Sequence, residues 1–243
     1  MRSILALDSS NSSLSIAIRT GSETLTKNEK LSFVANNGAG EQLLPIISEL
    51  FIASPDSLIG LDQILISLGP GSYTGLRSGI AAAKGLQLGY APGKVAITAI
   101  SLFLYGILSH IGTGLAEGIE HQFVPYLPSR TDEVYFIFLA VTRKSEVYTV
   151  KVSSEIYYSD MLGMRTKGAE LLLSSGSKYC DLAEAVKDGA PLLLAAFEKL
   201  QNGLLIIEDS KGLLLQHPDA ESAPNPLYVK GVNAQTILER NNQ

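Results

Sequence analysis

The residues that most often hold metals or act as nucleophiles are few and scattered in this sequence. The histidines are His110, His121 and His217, and Cys180 is the single cysteine. A helical metal site needs two histidines four residues apart on one face, and these three do not have that spacing. Cys180 has no histidine near it in the sequence. We therefore predict no catalytic residue, no metal and no cofactor for this chain.

Two short acidic stretches are further candidates for chemistry. Asp8, Ser9 and Ser10 follow the apolar run "SILAL", where they either contact an anion or form a turn stabilised by Asp and Ser side chains. The sequence does not decide between these two interpretations. Asp132 and Glu133 are adjacent at the start of a predicted strand, so they point to opposite faces and are not expected to share a proton.

The stretch "GPGSYTGLR" is a glycine-rich turn between an apolar strand and a helix, where proteins often bind phosphate. It matches none of the named fingerprints. Gly69 and Gly75 are six residues apart, Thr74 stands where G-x-G-x-x-G needs its third glycine, and no Lys follows the last glycine. Free amides at a helix start and Arg77 still suit an anion. The alternative is a tight turn capped by Ser72 or Thr74.

The helix predicted after this turn has a broad face of small residues. Four glycines make it a poor helix by propensity, because each costs about 1 kcal/mol relative to alanine. Small residues let another backbone come close, either within the chain or in a partner. The face comprises Gly75, Ser78, Gly79, Ala81, Ala82, Ala83, Gly85 and Gly89.

The order of predicted elements indicates two similar lobes of α/β type. Residues 1–110 contain three strands, a helix, a strand, the glycine loop with its helix, a strand and a helix. Residues 111–243 partly repeat this order in a smaller lobe with an irregular, proline-rich tail. We predict strands at "ETLTKNEKLSF", "EVYFIFLAVT" and "AELLLSS", a short helix at "SDMLGMRT", and Pro45 near the start of the first helix.

The composition fits a globular protein without a large basic face. The chain has 243 residues, a formal net charge of −5 and 46% hydrophobic residues. Direct binding of nucleic acid by this chain alone is therefore not expected to be its main role. Residues 95–116 contain no charged side chain but are interrupted by Ser, Thr, Gly and His, which favours a strand and a buried helix over a membrane span. We expect no membrane association and a cytoplasmic protein.

Five segments occur in an order and spacing that resemble the bacterial TsaB (YeaZ) family. They are "ILALDSSNSSLSIAI", "LISLGPGSYTGLRSGIAAAKGL", "TAISLFLYGI", "RTDEVYFIFL" and "NPLYVKG". The sequence departs from the family pattern at three places. The His usual before the Leu-Leu-Pro run is missing, Tyr73 stands where Phe is common, and Ser78 stands where an aliphatic residue is common.

The resemblance implies an actin-like (ASKHA, RNase H-like) two-lobed fold with mixed sheets flanked by helices. It also implies a non-catalytic partner subunit that works with TsaD and the ATPase TsaE. That complex forms N6-threonylcarbamoyladenosine at position 37 of tRNAs that read ANN codons, so tRNA would be reached only through the complex. A homodimer is expected when the chain is alone. The predicted partner-binding residues are Tyr73, Gly75, Leu76, Ser78, Gly79, Ala82, Ala83 and Leu86.

Two alternatives of another class stay open at this point. An actin-like ATP-dependent enzyme would need a second phosphate loop, and the start of the second lobe, "VPYLPSRTDEVY", contains no Asp-x-Gly loop. A metallopeptidase-like protein would need a His-x-x-x-His pair, which this sequence does not contain.

Overall fold

Twelve strands and six helices are assigned within the described part of the chain. The structure is a computed structural model that describes residues 3–10, 14–20, 39–53, 55–90, 95–111, 115–129, 132–171, 177–183, 187, 189–218 and 222–227. The first elements are β1 (Ser3–Asp8), β2 (Ser15–Thr20), α1 (Ala39–Ala53), α2 (Pro55–Ile59), β3 (Leu61–Ser67), α3 (Tyr73–Tyr90), β4 (Ala96–Ile100) and α4 (Leu102–His110). The later ones are β5 (Glu120–Pro128), β6 (Glu133–Phe136), β7 (Leu139–Lys144), β8 (Val147–Val152), β9 (Tyr157–Asp160), α5 (Met161–Leu171), β10 (Lys178–Asp181), α6 (Gly189–Gln201), β11 (Leu205–Glu208) and β12 (Leu215–Gln216).

The first sheet has helices on both faces. Its order is β12-β4-β3-β1-β2, with β1, β3 and β4 parallel and the two outer strands antiparallel. Side chains alternate along β1, so Leu5 and Leu7 lie in a core with α1 and α3, whereas Ile4 and Ala6 lie in a core with α4 and α6. Asp8 lies on the same face of β1 as Ile4 and Ala6, so its side chain points toward α4 and α6.

The second sheet is also mixed. Its order is β11-β8-β7-β5-β6-β9, and β10 pairs in parallel with β5. The predicted strand "EVYFIFLAVT" is wrong as a single element, because it divides into β6 and β7 at Ile137 and Phe138. There the Phe138 amide donates a hydrogen bond to Ser154 Oγ, and Ser153 N donates to the Phe138 carbonyl.

The chain returns to the first sheet after the second one. α6 packs against β1, β2, β3 and α4. β12 pairs with the edge of β4, and Leu227 N donates to the Leu68 carbonyl at 2.9 Å. These elements follow residue 111, yet they cover the first sheet. The lobe boundary near residue 110 stays a prediction.

Two details of the predicted elements are wrong. Residues 169–171, predicted as a strand, continue α5, since Ala, Glu and Leu are strong helix formers. Pro45 lies in the second turn of α1 rather than near its start. The short helix at "SDMLGMRT" is confirmed within α5, and the uncharged span forms β4 and α4. The predicted strand "ETLTKNEKLSF" lies outside the described residues.

Candidate partner-binding site

The loop "GPGSYTGLR" joins β3 to α3 and is held at its base by neighbouring chain. Gly69 has φ 87°, a left-handed conformation that favours glycine, and it is followed by a cis peptide bond to Pro70. The Gly69 carbonyl accepts hydrogen bonds from Leu102 N at 2.9 Å and from Ser101 Oγ at 3.1 Å. The end of β3 is thereby tied to the beginning of α4.

Gly71 of this loop and Gly75 and Gly79 of the first turns of α3 face the turn that follows β1. A Cβ built on Gly71 would lie 2.0 Å from the Ser10 carbonyl oxygen, and one on Gly75 would lie 1.9 Å from the Ser9 carbonyl oxygen. At Gly79 the Cβ would lie 2.5 Å from Ser9 Oγ. At Gly71 and Gly75, no side chain larger than hydrogen fits unless the backbone shifts, whereas at Gly79 a methyl group would require the Ser9 hydroxyl to move. The close approach offered by this glycine face is therefore used inside the chain.

Several amides of the loop are hydrogen-bonded within the chain. Ser72 N donates to the Ser10 carbonyl at 2.5 Å, and Leu76 N donates to the Ser72 carbonyl at 2.9 Å. Gly75 N donates to Ser72 Oγ at 3.2 Å, and the Gly75 carbonyl accepts from Ser9 Oγ at 2.8 Å. These contacts support the interpretation of the loop as a tight, side-chain-capped turn over that of a phosphate cradle.

The eight predicted partner-binding residues fall into two groups. Five are buried inside the chain: Gly75, Leu76, Gly79, Ala82 and Ala83. The others, Tyr73, Ser78 and Leu86, are half-buried and have surface left for a partner. The structure holds one chain, so the assignment of these residues to a partner stays a prediction.

An apolar groove runs between α1, α2 and the second half of α3. It encloses about 870 Å³ and includes Gly85 and Gly89, where an added Cβ would meet nothing within 4 Å. Its walls are mostly aliphatic and aromatic, formed by Leu44, Ile47, Phe51, Ile52, Leu58, Ile59, Leu86 and Tyr90. Three of these side chains are unusually exposed: Leu44 at 60%, Ile52 at 75% and Ile59 at 77%. Exposed apolar patches of this kind are typical of interaction sites.

Sequence reasoning missed the α1 and α2 walls of this groove, although a signal was present. The buried face of α1 carries Leu43, Ile46, Ile47 and Leu50. Leu44, Ser48 and Ile52 form a second row at i, i+4 and i+8 on the same helix. One core needs only one apolar face. Leu44 and Ile52 are apolar residues outside the buried face and therefore indicate a second contact surface.

Of the candidate chemical residues, His110, His217 and Glu133 have local hydrogen-bond partners, whereas the buried His121 Nε2 has none within the described part of the chain. His110 Nδ1 lies 3.0 Å from the Gly106 carbonyl of its own helix, and His217 Nδ1 lies 3.1 Å from Thr98 Oγ1. Burial raises the pKa of the Cys180 thiol above its ordinary value, which disfavours the reactive thiolate. Glu133 accepts a hydrogen bond from the Tyr158 hydroxyl. Within the described residues, no group of three or more His, Cys, Asp or Glu side chains is arranged to hold a metal.

No described helix is both long and apolar enough to cross a lipid bilayer. The longest, α3, has glycine and lysine within it.

Comparisons with known proteins find similarity to two named proteins, TsaD and TsaB. The family model TsaD, tRNA N6-adenosine threonylcarbamoyltransferase, matches residues 34–137. The tRNA threonylcarbamoyladenosine biosynthesis protein TsaB of Escherichia coli (strain K12) is 22% identical over 93% of this chain and 94% of its own length. The protein of the same name from Haemophilus influenzae is 35% identical over 35% of each chain.

Solved structures show the same fold. An uncharacterized protein with similarity to peptidase YeaZ, from Pseudomonas aeruginosa, is 18% identical, has a TM-score of 0.58 and covers 95% of this chain and 100% of its own. YeaZ from Pseudomonas aeruginosa is 18% identical with a TM-score of 0.54, over 93% of this chain. The predicted actin-like fold, with two mixed sheets flanked by helices, is confirmed. The resemblance that the sequence motifs indicate is confirmed as well: over nearly its whole length, this chain resembles the TsaB (YeaZ) family in sequence and in fold.

Proposed function

We propose that this chain is a non-catalytic subunit in the biosynthesis of N6-threonylcarbamoyladenosine in tRNA. It works in the cytoplasm with a TsaD-like catalytic subunit and a TsaE-like ATPase, which together modify position 37 of tRNAs that read ANN codons. The names of the TsaB relatives support the pathway. The observation that carries the partner role is the exposed apolar groove between α1, α2 and α3.

A TsaD-like protein is the occupant of this groove that the comparisons favour. The TsaD family model matches residues 34–137, a segment that contains α1, α2 and α3. A TsaD-like protein therefore carries a segment of related pattern, and two related helical surfaces can pack around a pseudo-twofold axis. The same surface pairs with itself in a homodimer when the TsaD-like protein is absent.

The contacts around Asp8 support a role that does not include catalysis. In open α/β sheets, ligands bind outside the carboxyl ends of the parallel strands. At that edge of this sheet, Asp8 accepts hydrogen bonds from Ser10 N, Ser10 Oγ and the Tyr105 hydroxyl at 3.0, 2.6 and 2.7 Å. Its carboxylate is thus engaged by the chain itself rather than presented to a ligand.

The partner role is tested by placing a charge in the groove. Ile52→Asp should weaken binding to the TsaD-like protein of the same organism at least about tenfold in calorimetry, because a carboxylate would be buried against apolar groups. Ile52 is so exposed in the single chain that the thermal midpoint should change little. The matched control is Ile206→Asp, since Ile206 is 49% exposed on β11, away from the groove. Equal affinity of both variants would refute the groove as the binding site.

The non-catalytic assignment needs a separate assay. The TsaD-like and TsaE-like proteins, substrate tRNA, and the threonylcarbamoyl donor should yield modified tRNA only when this chain is added. The chain alone should yield none, and it should not turn over ATP. Steady ATP turnover by the purified chain that disappears in Asp8→Ala would contradict the proposal.

A further inference from the structure

The Asp8 carboxylate lies where elements from both halves of the chain meet. It is 1% exposed at the end of β1. One of its oxygens accepts from Ser10 and the other from the Tyr105 hydroxyl of α4. Tyr105 is also buried, and its hydroxyl lies 3.2 Å from Ser67 Oγ at the end of β3. The ends of β1 and β3 are thereby connected to α4 through one hydroxyl group.

The N-terminus of α6 comes against the same carboxylate. A Cβ built on Gly189, the first residue of α6, would lie 1.9 Å from Asp8 Oδ2 and 2.7 Å from Asp8 Cγ. The next amide, Ala190 N, donates to Ser15 Oγ on β2 at 3.1 Å. The positive end of a helix favours a negative group nearby. Because residue 189 is glycine, the N-terminus of α6 can approach the Asp8 carboxylate this closely.

The position of Asp8 explains why a buried carboxylate suits this place. Apart from the Ala190–Ser15 hydrogen bond and an ion pair between Arg19 on β2 and Glu198 on α6, the contact between α6 and the first sheet includes an apolar core. Ala190, Leu193 and Phe197 lie in that core with Ile4 and Ala6. Apolar packing is not directional, so it does not define where along the sheet the helix ends. Hydrogen bonds from Ser10 and Tyr105 fix the carboxylate. Gly189 packs directly against it, so the carboxylate limits how far the N-terminus of α6 can advance along the sheet.

We propose that Asp8, Tyr105 and Gly189 form a latch that fastens α6, an element of the C-terminal half, to the strand ends of the first sheet. Through Ser10, the latch also reaches the glycine loop, because the Ser10 carbonyl accepts from Ser72 N. A change at Asp8 would therefore affect both the seating of α6 and the start of α3. This inference does not depend on the proposed function.

Hydrogen exchange of the full chain tests the latch. Gly189→Ala should accelerate exchange of the α6 amides about tenfold, since either the helix end or the carboxylate must move. Tyr105→Phe removes a single oxygen and should accelerate the same amides about fivefold. The amides of β7 and β8, in the second sheet, should exchange as in the unmodified chain. The matched glycine control is Gly85→Ala, which should leave the α6 amides unchanged.

Two results would overturn the latch. Unchanged exchange of α6 in Tyr105→Phe and Gly189→Ala would show that the carboxylate does not hold the helix. An equal acceleration of all amides would show that these residues contribute only to global stability. If Gly189→Ala does not fold, Tyr105→Phe alone decides, because it adds no atom to the site.

Discussion

The two halves of α3 use glycine for opposite purposes. In the first half, Gly75 and Gly79 face the Ser9–Ser10 turn so closely that a methyl group would overlap its atoms. In the second half, Gly85 and Gly89 face an open groove, and a methyl group would meet nothing within 4 Å. The same residue type, in one helix, thus permits internal packing at one end and leaves room for a partner at the other.

This difference changes how a small-residue face is interpreted. Glycine is destabilising in a helix interior by about 1 kcal/mol, so four of them call for a reason. Gly75 and Gly79 are explained by close packing within the chain. Gly85 and Gly89 have no close neighbour within the described residues, and their cost in helix stability is unexplained without a partner.

The largest effect on stability should come from adding a side chain in the first half of α3, where the glycines face the Ser9–Ser10 turn. Gly75→Ala places a Cβ 1.9 Å from the Ser9 carbonyl oxygen, which is backbone and cannot rotate away. We expect the free energy of unfolding to fall by about 3 kcal/mol, as in other overpacked sites. Urea denaturation measures this, with Gly79→Ala as the milder comparison because it meets only a hydroxyl group. A Gly75→Ala chain as stable as the unmodified one would contradict the claim that the first half of α3 needs glycine for internal packing.

The sequence allowed much of the fold to be predicted, for reasons that lie in local pattern. The largely apolar run at 61–68 and the alternation at 15–20 correspond to β3 and β2. The small face of α3 was evident too. The sequence did not show that this face divides into an inward-facing and an outward-facing half. The Ser9–Ser10 turn lies more than 60 residues away in sequence, and only the tertiary structure brings it to Gly75. For the same reason, Leu76 and Ala83 were assigned to a partner although they are buried in the chain's own core.

The latch formed by Asp8, Tyr105 and Gly189 could not be predicted from the sequence either. The sequence places Asp8 after the first apolar run but gives no sign that Tyr105 and Gly189 lie beside it. Nothing in local pattern joins residues so distant along the chain. The Tyr105 hydroxyl finds its partners only after the sheet and helix have packed.

A smaller and pH-dependent effect is expected at Asp8, which holds the turn that the inward glycines face. Burial raises the pKa of Asp8 above its ordinary value, against the lowering effect of the Ser10 and Tyr105 hydrogen bonds. A raised pKa in the folded state gives stability at low pH that is lost as pH rises through that pKa. Asp8→Asn has the same shape and no charge. Its unfolding free energy, relative to the unmodified chain, should therefore increase from about pH 4 toward neutrality.

Denaturation at several pH values measures this difference. Asp62→Asn serves as the control, because Asp62 is a half-buried carboxylate on the same sheet. A relative stability of Asp8→Asn that falls as the pH rises would mean that hydrogen bonding to the ionised carboxylate outweighs its burial.

The smallest effect on stability, and the sharpest test of the comparison, is expected on the outward side. Gly85→Ala adds a methyl group to open space, so the helix should gain up to about 1 kcal/mol in unfolding free energy. If a partner helix approaches the backbone at Gly85, the same methyl group should weaken binding to the TsaD-like protein, because it stands between the two backbones. Urea denaturation and calorimetry on one variant separate these two consequences. Higher stability with unchanged affinity would show that the groove does not need glycine at this position. Close packing would then explain the glycines in the first half of α3 but not those in the second half.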